Sequence, residues 1–192
     1  MDVVLRAGVA VLERAVAYCL GSVTLVTQPM LAWPTPCARW DLRDLLEHVI
    51  DSMAALEEAA ASGEVALTPP ADAGDVVPGV RLGAARLLGA WTNACGAPFV
   101  RVEHATLSTP LVAGAGAIEL AVHGWDVARS CGADRPIPDD LADELLDLAL
   151  VLIRAADRPG RFDRPVSIAG HAPPGERLLG FLGRDAGPRP GG

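Results

Sequence analysis

The sequence predicts an all-α bundle with a minor two-stranded β element, and three observations carry that expectation. Long segments place apolar residues at helical spacing, and connectors rich in proline and glycine separate them. Only Phe99–Leu107 and Arg164–Ile168 show the β-branched alternation of strands, and the two are expected to pair. A chain of 192 residues, 51% of them hydrophobic, is long enough for one ordinary domain with a sizeable core. The expected organisation is a helical bundle over residues 1–160. A short extension, 161–192, would pack on it as a strand, a helical turn and a loose tail.

The first helix is expected from Asp2, a capping residue, to about Thr27, with Val4, Leu5, Val9, Leu12, Val16, Cys19, Leu20 and Val23 on its apolar face. Pro29, Pro34 and Pro36 make Gln28–Ala38 a non-helical connection. Asp41 then caps a second helix, with Asp44 in its first turn and Leu42, Leu45, Leu46, Val49, Met53 and Leu56 as its stripe. Gly63 ends that helix, and the acidic, proline-rich stretch Glu64–Pro78 reads as a loop. A third helix over Val80–Cys95 would bury Leu82, Ala85, Leu88 and Trp91. A fourth spans Ala113–Cys131, stopped by Gly132. Pro138 and four acids open a fifth, expected to reach Asp157 with Arg154 and Arg158 at its negative end. Pro174–Gly183 gives a last helical turn.

Composition excludes several partners. The net charge is −8, lysine is absent, and no basic block exists, which argues against nucleic acid. Arg6, Glu13 and Arg14 interrupt the N-terminal apolar run, so neither a signal peptide nor a membrane span is expected. Cys19, Cys37, Cys95 and Cys131 are too widely spaced for a zinc ribbon or a disulfide framework. The expected location is the cytoplasm, with reduced thiols.

One stretch concentrates the chemistry. Around the fourth helix nearly every direction is apolar or small except a stripe of Glu119, His123, Asp126 and Ser130, at i, i+4, i+7 and i+11. Glu119 and His123 point the same way one turn apart, close enough to grip one metal ion. The same pattern also describes the wet side of a buried helix. His48 sits at the border of the second helix's stripe, a place that suits surface or ligand. His104 lies alone in the first strand and is read as exposed or hydrogen-bonded.

Three motifs then carry a resemblance. Thr35-Pro36-Cys37-Ala38-Arg39-Trp40 with Leu45 and His48, Glu119-x-x-x-His123-Gly124-Trp125-Asp126, and Arg177-Leu178-Leu179 with Gly183-Arg184 resemble the signatures of maleylpyruvate-isomerase-like, mycothiol-dependent proteins. These belong to the DinB-like four-helix superfamily and are abundant in actinobacteria. The resemblance implies a DinB-like four-helix bundle with an extra helix. It also implies a divalent metal, usually zinc, held by His48, Glu119 and His123. Apart from the resemblance, Asp126 is placed to orient a ligand histidine from behind, and equally to cap the helix or form a salt bridge.

Three protein ligands leave a coordination position open. A thiol cofactor such as mycothiol would bind there as thiolate and attack a small electrophilic substrate, giving isomerisation or S-transfer. Water there would instead give a hydrolase or Lewis-acid tailoring enzyme, and a bundle with neither would be a non-catalytic binding protein. A cofactor pocket is expected at the bundle's mouth, near Gln28–Ala38 and the loop after Gly63. Arg43 and Arg129 are the arginines nearest the ligand helices and are candidates to hold a substrate carboxylate. Cys37 reads as a packed connector residue rather than a nucleophile.

Overall fold

Helix α1 (Val3–Val23) opens the chain and turns Leu5, Val9, Leu12, Ala15, Val16, Cys19 and Val23 into the core. The computed structural model describes residues 3–37, 40–65, 74–93, 98–102, 105–158 and 162–187. Asp2, Cys95, Glu103, His104 and the end of the C-terminal tail lie outside them. Helix α2 (Leu42–Ser62) starts on a full capping box: Asp41 accepts from the Asp44 N–H, and the Asp44 carboxylate accepts from the Asp41 N–H. It ends at Gly63, whose φ of 71° is the left-handed conformation that glycine adopts without a Cβ clash. All six residues of its expected stripe are buried, together with Ala59.

Helix α3 (Val76–Asn93) begins earlier than proline spacing suggests, because Pro78 falls in the first turn, where its missing N–H leaves no helical bond unmade. Its buried stripe is Val76, Val80, Ala84, Leu87 and Trp91, whereas Leu82 is 54% exposed. This corrects the face expected from Leu82, Ala85 and Leu88. The segment is apolar on two sides, and Trp91 selects between them by donating its indole N–H to the Leu56 carbonyl at 3.0 Å. Helix α4 (Thr109–Ser130) is buried along nearly its whole length, as an all-round apolar helix must be.

These four helices close a ring: α1 packs on α4, α4 on α2, α2 on α3, and α3 on α1. The α1–α4 contact is the most extensive, and small residues make it close. A Cβ on Gly124 would stand 2.9 Å from the Cys19 Cα. The β element differs from expectation. Strands β1 (Glu64–Val65), β2 (Phe99–Val102) and β3 (Ala105–Ser108) form a three-stranded sheet in that order, β1–β2 parallel and β2–β3 antiparallel. The expected single strand is thus a hairpin, its partner is part of the expected loop, and Arg164–Ile168 forms no strand.

Contacts divide the chain into two units, Met1–Arg135 and Pro136–Gly192. Within the second of these, helix α5 (Asp139–Leu152) packs on helix α6 (Pro174–Phe181). Helix α5 stops at Leu152 rather than Asp157, and a 3-10 turn, Ala155–Asp157, follows. Arg154 therefore lies past the helix, and Arg158 places its guanidinium 4.7 Å from the Phe181 ring centre. Another 3-10 turn, Gln28–Ala32, occupies the start of the connection expected to be non-helical. Among the described residues, no helix is long and apolar enough to cross a membrane.

Candidate metal centre

The stripe on α4 is not a wet face. His123, Asp126 and Ser130 are buried, and only Glu119 reaches solvent, with a third of its side chain exposed. The stripe faces α2, which brings His48 to it: His48 Nε2 lies 2.6 Å from Glu119 Oε1, and His123 Nε2 lies 3.1 Å from the same oxygen. One donor atom from each of His48, Glu119 and His123 falls within 4.8 Å of the others. The structure therefore gathers the three residues that sequence singled out. Ser52, one turn after His48, adds a hydroxyl 3.5 Å from both His48 Nε2 and Glu119 Oε1.

Behind His123 the arrangement is equally specific. His123 Nδ1 donates to Asp126 Oδ2 at 3.0 Å, and Asp126 is wholly buried. This bond leaves Nε2, the nitrogen facing Glu119 and His48, as the lone-pair side of the neutral ring. Two further residues, missed by the sequence reading as members of the site, arrive from the connection before α2. The Trp40 ring centre is 4.6 Å from that of His48 and 6.1 Å from that of His123. The Cys37 thiol donates to Asp126 Oδ2 at 3.5 Å.

The threonine of the Thr-Pro-Cys motif explains why these two side chains are held. Its hydroxyl lies 3.1 Å and 2.9 Å from the carbonyls of Cys37 and Trp40, and it accepts from the Cys37 N–H. A bridge between Pro34 and Asp41, and the Leu42 N–H donating to the Trp33 carbonyl, close the loop at its base. Periodicity carries no information about such a loop. The available signal was the motif itself.

The electrostatics of the cluster are those of a tight ion pair. Burial opposes charge on Glu119, but the His123 imidazolium and hydrogen bonds from His123 and His48 outweigh it and hold the carboxyl well below the usual carboxylate range. Burial likewise opposes charge on His123. The Glu119 carboxylate, then hydrogen bonds with Asp126, Cys37 and Glu119, overcome it and raise the imidazole well above its ordinary value. Cys19, by contrast, is a core thiol that burial pushes up to about 12.

The candidate substrate arginines stand apart. Arg43, five residues before His48, is exposed and points about 140° around α2 from it. Arg129 lies with its guanidinium 5.7 Å from the Trp125 ring centre, about 120° around α4 from His123. A cavity of about 220 Å³ lies between Val26–Leu31 and Asp75–Pro78, lined by Val26, Thr27, Gln28, Leu31, Asp75, Val77 and Pro78.

Fold and site together define a four-helix bundle with an interhelical His–Glu–His cluster. The profile of the mycothiol maleylpyruvate isomerase N-terminal domain matches residues 12–128, more than half of the chain, and the chain belongs to that family. Two uncharacterized proteins, from two strains of Mycobacterium tuberculosis, are each 28% identical to it over 165 residues, covering 83% of this chain and 87% of theirs. Among solved structures it is similar to the crystal structure of the mycothiol-dependent maleylpyruvate isomerase, with a TM-score of 0.58 and 16% identity. A histidine-to-alanine mutant of that isomerase matches equally, with a TM-score of 0.58 and 15% identity. Each comparison covers 74% of this chain and 69% of the other, and shows that the fold is shared.

Proposed function

We propose that this chain is a divalent-metal-dependent enzyme of the cytoplasm that uses a low-molecular-weight thiol, mycothiol, to isomerise or S-modify a small electrophilic substrate. The observation that carries the reading is the convergence of His48 Nε2, Glu119 Oε1 and His123 Nε2 on one spot. The donor chemistry fits a zinc-like ion: two imidazole nitrogens and a carboxylate oxygen, with one imidazole held from behind by a buried carboxylate. His48, Glu119 and His123 would hold the ion. When bound, it supplies a positive charge that favours the deprotonated form of a thiol beside it and polarises an electrophile.

The chain's own residues support the rest. Asp126 holds a proton on His123 Nδ1, so that Nε2 is the nitrogen that turns to the metal once its own proton is lost. His48 and Glu119 are each about one-third exposed, which leaves the cluster open to a cofactor on that side. Trp40 lines the His48 edge with an apolar wall suited to a planar, conjugated substrate. The thiol is the one after which the family is named, and its requirement is separable from that of the metal.

Turnover of an activated alkene is expected to require both metal and mycothiol. Chelation should abolish it, and so should omission of the thiol. Turnover that persists without thiol but dies on chelation would favour the Lewis-acid alternative and end the thiol reading.

A pH dependence follows as well. Because Glu119 and Asp126 raise the pKa of His123, a proton competes with the metal there at neutral pH. Metal binding expels that proton, so affinity should fall as pH falls and keep climbing above pH 7, by up to about tenfold per unit for each proton released. Competition titrations at several pH values check this. A plateau already reached near the ordinary histidine pKa of about 6.5 would contradict it.

A further inference from the structure

We infer that Cys37 is a positioning residue of the centre: its thiol donates to Asp126 Oδ2 and thereby fixes the carboxylate that orients His123. The consequence for metal affinity rests on the metal reading above, whereas the three-residue relay stands on geometry alone. Cys37 Sγ is 3.5 Å from Asp126 Oδ2, and His123 Nδ1 is 3.0 Å from the same oxygen. Asp126 has no exposed surface, so its donors come from within the fold rather than from bulk water. One carboxylate oxygen thus takes two donors, one from α4 and one from a connection 89 residues away in sequence. The Thr35 turn and the Pro34–Asp41 bridge hold the thiol in place.

Two other roles for this thiol are less compatible with the arrangement. In a nucleophilic Cys–His–acid triad the carboxylate holds one ring nitrogen and the thiol faces the other. Here thiol and carboxylate meet on the Nδ1 side, while Nε2 faces Glu119. Cys37, His123 and Asp126 also bring donor atoms within 4.8 Å of one another, but an ion there would replace the Nδ1 proton that Asp126 accepts and would bind on the side of His123 away from Glu119.

Zinc affinity, read by competition with a chromophoric chelator, tests the relay in wild type, Cys37→Ala, Cys37→Ser, Asp126→Asn and the double variant Cys37→Ala/Asp126→Asn. Loss of such an outer partner weakens metal sites by about 10–100-fold, so Cys37→Ala is expected near tenfold and Asp126→Asn near 100-fold. Cys37→Ser, which keeps a donor, should recover most of the loss. Cys37→Ala should cost little further once Asp126 is Asn, because the charged carboxylate it orients toward His123 is gone and a neutral amide oxygen accepts more weakly. Urea melts of the chelator-treated proteins should show the same coupling. Wild-type affinity in Cys37→Ala, fully additive losses in the double variant, or a sulfur-to-cobalt charge-transfer band in the cobalt-loaded wild type would each overturn the inference. If the wild type binds no zinc, the metal reading fails. The melts then decide the relay separately: coupling between Cys37 and Asp126 sustains it, and independence refutes it.

Discussion

Replacing His123 by alanine is expected to strip the chain of its divalent ion. The wild type, purified without chelator, should carry about one ion per chain on the metal reading, and His123→Ala should carry none after gel filtration. A three-donor site that loses one donor keeps two, of which Glu119 then has one histidine partner instead of two. Stability should fall too, for a separate reason. Asp126 is wholly buried and accepts the His123 Nδ1–H, so the substitution leaves a buried carboxylate short of a donor. Breaking such a pair costs about 3–5 kcal/mol in comparable cases. His48→Ala separates the two effects. His48 is one-third exposed and Asp126 keeps His123 and Cys37 as donors, so this variant should lose the metal while melting close to the metal-free wild type. Metal analysis together with urea melts checks both variants. Full metal retention in His123→Ala would refute the assignment of this cluster as the metal centre.

The contrast between His48 and His123 also shows what the sequence could reveal. Helix α2 was legible from end to end because its signals are local: Asp41 and Asp44 form the capping box, Gly63 supplies the left-handed cap, and six apolar residues mark one face. The grouping of Glu119 with His123 was legible for the same reason, since i and i+4 share a face on any helix. Whether that face was wet was not legible. It depends on α2 covering it, a tertiary fact that the pattern of α4 alone does not encode. Bringing His48 to the same place needed the motif resemblance, because residues 71 apart on two different helices carry no periodic relation.

The failures share a cause as well. Leu82 and Trp91 looked alike as apolar members of α3, and only the Trp91 indole bond to α2 decides which face turns inward. Strand β1 is two residues long, below the length at which alternation is visible, and it exists because β2 offers an edge beside it. Cys37 reads as connector packing from sequence, since a proline-rich loop has no period. Its contact with Asp126 is set by the Thr35 turn and by the approach of α4. Interactions within one element were readable, and those that need two elements to meet were not.

The approach of α1 to α4 gives the second large effect. Gly124 follows His123 and faces Cys19 and Tyr18 on α1, where an added Cβ would lie 2.9 Å from the Cys19 Cα and 3.1 Å from the Tyr18 ring. The first contact is with backbone, so one helix must move. Gly124→Ala sets two comparable effects against each other: alanine gains about 1 kcal/mol of helix propensity over glycine, and overpacking costs about 1–3 kcal/mol. Its net change should be small and unfavourable. Gly124→Leu removes the balance, because the propensity gain hardly grows while three more carbons enter a closed interface. It should lose about 3 kcal/mol or more of stability, read by urea unfolding of the metal-free protein. The displacement would also reach the site, since His123 precedes residue 124 on the same rigid turn and the 3.0 Å bond to Asp126 and the 3.1 Å spacing to Glu119 depend on α4's position between α1 and α2. Metal affinity of any folded Gly124→Leu protein is therefore expected to fall together with its stability. A Gly124→Leu protein as stable as the wild type would show that α1 and α4 yield to one another freely, and that this close contact does not set the place of His123.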